Sequence, residues 1–176
     1  ADLIEYRNLN ETTIEQVATC NLPTAYGDFE LITFKDVIDQ QIHFALKKGE
    51  VIEGKPTLVR VHLHNTLSDL LCSTRAINRS MPLSESMQRI NKEGGVLVLL
   101  GKKEDIISQV KMFQAEDNDE VAEGKAWEGS SRTVGVGSQI LSSLGITKMR
   151  LLSKPIKYSA LSGFGLEVVE YIYDKK

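Results

Sequence analysis

Two histidines at alternate positions, His62 and His64, are the first residues whose type and spacing suggest chemistry. They fall within Thr57 to His64 (TLVRVHLH), which alternates with the period of a strand. An H-x-H pair on one strand face could ligate a metal through two imidazoles, with Asp69 or Cys72 recruited as further ligands. No third ligand stands at a recognised spacing, so a polar strand face over a cleft or solvent is the simpler reading. Cys72 lies near Arg75, the kind of neighbour that activates a thiol. No general base can be assigned to it, and a buried, inert thiol is the expectation. Gly135-Val136-Gly137 faintly resembles a phosphate loop but lacks the G-x-G-x-x-G spacing and a strand leading into it. Close packing of a helix explains such small residues better. Lys102 and Lys103 follow an apolar run and could meet a phosphate at a sheet's carboxyl edge; surface lysines are the commoner case.

Positioning such groups needs a folded domain, and the composition provides for one. The chain has 176 residues, 41% of them apolar, with 21 Lys plus Arg, 24 Asp plus Glu and a formal net charge of -3. That length suits one domain, or one and a fraction, and the apolar share excludes wholesale disorder. The weak acidity gives no electrostatic footing for nucleic acid or an anionic membrane. No apolar run reaches the roughly 18 residues of a membrane span. No basic n-region with an apolar h-region marks a secretory signal. Cys20 and Cys72 cannot build a disulfide framework, so free thiols in a reducing cytoplasm are expected.

The element pattern changes midway. Strands are expected at Val17 to Cys20, stopped by Asn21-Leu22-Pro23, then at Phe29 to Phe34, Gln41 to Lys47 and Thr57 to His64. Val59, Val61 and Leu63 share one face of the last, with Arg60, His62 and His64 on the other. Together these segments suggest a β-meander. Helices are expected over Leu83 to Lys92, Glu104 to Phe113, Arg132 to Leu144 (stopped by Gly145) and Tyr158 to Leu161. Val96 to Leu100 (VLVLL) reads as a buried central strand, with further strands at Lys148 to Leu152 and Leu166 to Tyr173. Ala115 to Gly129 is acidic and loop-like, anchored by Trp127. The expected class is α/β, with mixed β-sheets flanked by helices.

The order of these segments resembles GTP cyclohydrolase II, an enzyme family of riboflavin biosynthesis. Leu22 to Phe29 (LPTAYGDF) is similar to the family's LPT-x-x-G-x-F opening, and Arg60-Val61-His62 to the start of its R-[VI]-H-S-E-C segment. Lys92 to Leu99 (KEGGVLVL), Leu144 to Leu152 (LGITKMRLL) and Gly163 to Glu170 (GFGLEVVE) follow in the family's order. The resemblance covers residues 14–176. It makes residues 1–13 a linker or lead-in from an upstream 3,4-dihydroxy-2-butanone 4-phosphate synthase domain.

The chemistry departs from that framework. The family binds a catalytic zinc through three cysteines, and the matching positions hold Asn65, Ala76 and Asn78. An amide, a methyl and an amide cannot replace three thiolates. The family's second phosphate-binding arginine falls on Ile106 and its catalytic aspartate on Ser130, while Arg132 remains. The resemblance therefore implies a domain without zinc and without ring-opening activity. It would be kept as a structural or regulatory module, a homodimer, for an attached synthase domain. Arg60, Val61, His62, Ser153 and Lys157 could still bind GTP or a sugar phosphate, and Arg132 is the catalytic relic. One alternative is a divergent but active GTP cyclohydrolase II, releasing formate and a diaminopyrimidine phosphate, with His62, His64 and a carboxylate as a new site. Another is pure dimerisation.

Overall fold

The computed structural model describes residues 12–75, 81–101, 103–119, 131–155 and 164–173, with the backbone alone at 131–134. Ile14–Thr24 (β1) and Gly27–Asp36 (β2) form an antiparallel hairpin, and Ile42–Lys48 (β3) pairs antiparallel with β2. Thr24 fixes the tight turn. Its hydroxyl donates to the Gly27 carbonyl at 2.7 Å and accepts from the Tyr26 N–H at 3.1 Å.

Among the described residues, Thr57–Leu63 (β4), Gly95–Leu100 (β5), Lys148–Leu151 (β6) and Glu167–Tyr171 (β7) complete a seven-stranded sheet in the order β1-β2-β3-β5-β4-β6-β7. β3 and β5 are antiparallel, while β5, β4, β6 and β7 run parallel. Thr66–Asp69 (α1), Leu83–Glu93 (α2), Ile106–Asp117 (α3) and Ser131–Ser143 (α4) connect and cover these strands. The molecule is thus a mixed sheet flanked by helices, as expected of an α/β chain.

Apolar residues on both faces of β5 make it the centre of the sheet. Val96, Val98 and Leu100 join Val59, Ile32 and Phe34 beneath Val136, Ile140 and Leu141 of α4. Leu97 faces the other way, into Phe29, Leu46, Leu58 and Ile90 of α2. Gly95 opens β5 at φ +143°, where a Cβ would stand 2.3 Å from the Leu58 carbonyl oxygen, so only glycine starts this strand against β4. Gly137 lies where a Cβ would meet Val61 and Leu100 at 3.6 and 3.7 Å. The Gly-Val-Gly stretch is therefore a helix seated closely on the sheet. At the start of β1, the buried Thr13 N–H donates to Oε1 of Gln139 at 2.6 Å, which ties the strand to α4.

Four expectations are corrected. β1 does not stop at Asn21 but runs through Pro23, because an edge strand has a solvent-facing side on which a missing N–H costs nothing. β4 leaves the meander, since the more apolar β5 inserts between it and β3. α3 continues to Asp117, into residues expected to be loop. Cys72 is exposed rather than buried, at φ +53° beyond α1. The lead-in through residue 11, the acidic stretch around Trp127 and the helix at Tyr158 to Leu161 lie outside the described residues.

Candidate functional site

The parallel strands β4 and β5 end side by side, where the His64 N–H donates to the Leu100 carbonyl at 3.1 Å. Beyond that edge lie α1 and the segment leading into α3. Asn65 caps α1: its carboxamide oxygen accepts from the Ser68 N–H at 3.0 Å. Its NH2 donates to Oε1 of Gln109 on α3 at 2.9 Å. One end of the amide thus caps α1 and the other ties α1 to α3.

A cluster of titratable groups sits on this frame. His62 points from β4 toward α1, and its Nε2 donates to Asp69 at 2.9 Å (Oδ1) and 3.0 Å (Oδ2). Asp69 also accepts the Asn65 N–H at 3.0 Å. Burial, the largest single influence on its carboxyl, pushes toward the neutral acid. The His62 hydrogen bond, the Asn65 N–H and the charges of His62 and His64 outweigh burial and hold Asp69 below the usual carboxylate value. Nδ1 of His62 is buried with no hydrogen-bond partner among the described residues.

His64 is more open and bridges two carboxylates, with Nδ1 3.8 Å from Asp69 and Nε2 3.5 Å from Glu104. Glu104 accepts from the Thr66 N–H at 2.7 Å and from the Thr66 hydroxyl. The two carboxylates approach opposite edges of the ring, so one ion cannot join both through His64. Among the described residues, no three His, Cys, Asp or Glu side chains are placed to share a metal ion. Chemically, the cluster is a buried imidazole–carboxylate pair beside a more open histidine set between two carboxylates.

The other sequence-selected residues fall around this cluster. Arg60 is 7% exposed; its Nη1 donates to the Leu152 carbonyl at 2.9 Å and its Nη2 to the Met81 carbonyl at 3.4 Å. It ties β4 to the chain leaving β6 and to the chain entering α2. Val61 packs against the α4-side core. Ser153 is half-buried one residue past Leu152, its hydroxyl donating to the Lys154 carbonyl at 2.9 Å. The structure therefore brings Arg60 and Ser153 to one place. Arg132 lies in the first turn of α4. Its side chain and all of Lys157, Ala76, Asn78, Lys102, Trp127 and Ser130 lie outside the described residues.

Arg75 does not serve Cys72. It donates to Asp117 on α3 at 2.9 and 3.2 Å and stacks 4.7 Å over the Phe113 ring. Sequence reasoning missed Glu104 and Gln109, which join the site only through folding. It also missed the short helix at Thr66–Asp69 and Asn65 as its cap, although an Asn three residues before a serine, Ser68, is a capping signal.

The family model described as GTP cyclohydrolase II matches residues 15–173. A 3,4-dihydroxy-2-butanone 4-phosphate synthase from Photobacterium phosphoreum is 48% identical over 176 residues, covering 98% of this chain and 47% of that protein. Riboflavin biosynthesis protein RibBA from Aquifex aeolicus (strain VF5) is 38% identical, with 98% of this chain and 45% of that protein covered. Among solved structures, RibBX, a two-domain 3,4-dihydroxy-2-butanone 4-phosphate synthase from A. baumannii, is similar with a TM-score of 0.67 and 34% identity. That match covers 98% of this chain and 44% of RibBX. The chain spans about half the length of the relatives it matches.

Proposed function

The chain belongs to the GTP cyclohydrolase II family, and from that premise we propose that it is a module without zinc or ring-opening activity that steadies a 3,4-dihydroxy-2-butanone 4-phosphate synthase in the cytoplasm. The observation that carries this reading is the engagement of Asn65. It stands where the family's first zinc thiolate would be, yet its carboxamide caps α1 and bonds Gln109. Asn65, Ala76 and Asn78 do not fit a zinc ion, which needs deprotonated thiolates or imidazoles here. At α3 the family's arginine position holds Ile106, and Glu104 sets a carboxylate close by.

The retained cations fit a reduced role. Arg60 spends its donors on backbone carbonyls, so it and His62 act as frame. Binding of GTP or a sugar phosphate would fall to Ser153, Lys157 and Arg132. The coherent core beneath an altered site suits a scaffold that assembles as a homodimer with its synthase domain in the same chain. Deleting this half from the parent protein tests the scaffold role. The synthase should lose thermal stability or rate; an unchanged synthase would contradict it.

A further inference from the structure

The outer edge of the sheet is β1, and we propose that it pairs antiparallel with β1 of a second copy of this chain, about a two-fold axis at Cys20. The inference rests on the homodimer of the preceding reading and names the surface that forms it. Among the described residues, β1 has a partner strand on one side only, and residues 15–21 are all exposed.

The hairpin fixes which backbone groups are free. Thr24 pairs with Gly27 across the tight turn, and the register is unbroken from there back to Ala18. Thr24, Leu22 and Cys20 therefore turn their N–H and C=O groups toward β2, while Pro23, Asn21 and Thr19 turn theirs outward. A proline at an outward position fits, since it has no N–H to offer. The usable edge is bounded by Pro23 on one side and by the bulge between Gln16 and Ala18 on the other.

The window between them, Ala18-Thr19-Cys20-Asn21-Leu22, carries no charge and complements itself. Reversed about Cys20, it sets Thr19 opposite Asn21 of the partner subunit and Ala18 opposite Leu22 of the partner subunit. The outward N–H and C=O groups of Thr19 and Asn21 then meet in reciprocal pairs. Cys20 faces its own copy at a site where opposed Cα atoms stand about 4.5 Å apart, within the span of a disulfide. Ala18, Cys20 and Leu22 share the face of Thr33, Leu31 and Phe29, so the pairing extends the apolar side covered by α2. An uncharged edge of this kind is a template for another strand, and an isologous pairing closes at two copies.

Oxidative cross-linking with diamide, at a concentration where sedimentation finds dimer, tests the pairing. Two Cys20 thiols lose two protons and two electrons to diamide, which is reduced to the hydrazine as one S–S bond forms. Wild type and Cys72→Ser should cross-link, and Cys20→Ser should not. Asn21→Pro removes an outward N–H, and Cys20→Lys opposes two ammonium groups at the axis. Each should raise the dimer dissociation constant at least tenfold with unchanged far-ultraviolet circular dichroism. A dimer that neither cross-links through Cys20 nor weakens in these variants would overturn the β1 interface while leaving the homodimer standing. A chain monomeric at every concentration would overturn both.

Discussion

His62 and Asp69 form a buried pair, with Nε2 2.9 Å from Oδ1 and only 6% and 8% of the two side chains exposed. Desolvation makes such a pair costly to break from one side, because the remaining partner stays buried without its hydrogen bond. Asp69→Ala should therefore destabilise the protein by about 1–3 kcal/mol. Urea denaturation measures it; a loss below about 0.5 kcal/mol would show that the pair contributes nothing to folding.

The same pair sets an acid limb of stability. The Asp69 carboxyl is held below its ordinary value in the folded state. A depressed folded value contributes stability above the unfolded value, and that contribution is lost as pH falls through the folded one. Stability should decline below about pH 4, and the Asp69→Asn variant should decline less steeply there. Identical slopes for the two proteins would place the acid sensitivity elsewhere.

Arg60 distinguishes frame from ligand site. Its guanidinium bonds to the carbonyls of Leu152 and Met81 predict that Arg60→Ala costs about 2–3 kcal/mol. Thermal unfolding reads this directly. An unchanged midpoint with weaker phosphate binding would instead make Arg60 a ligand residue.

Asn65 tests the rebuilding of the zinc position. Asn65→Ala should cost about 1 kcal/mol, as loss of a helix cap does, and Asn65→Ser should recover most of it. Equal stability of all three proteins would mean that the cap is idle.

The sheet was legible where burial is symmetrical or strictly alternating. The continuous run Val96 to Leu100 announced a central strand, and TLVRVHLH announced one with a polar face. Strand order was not legible, because pairing β5 between β3 and β4 depends on contacts distant in sequence. The length of β1 was hidden by Pro23, whose effect depends on the strand's place at the edge. Of the site, His62, Asp69 and Arg60 stood out by type. Glu104 and Gln109 look like ordinary residues around a helix start and acquire meaning only when α3 meets α1.

The most direct measurement is the release of formate from GTP by the purified protein supplied with zinc and Mg²⁺, with bound zinc quantified in the same sample. Turnover is expected at the enzyme-free background, with no stoichiometric zinc. Robust formate release, with one zinc per chain that is lost in His64→Ala, would contradict it.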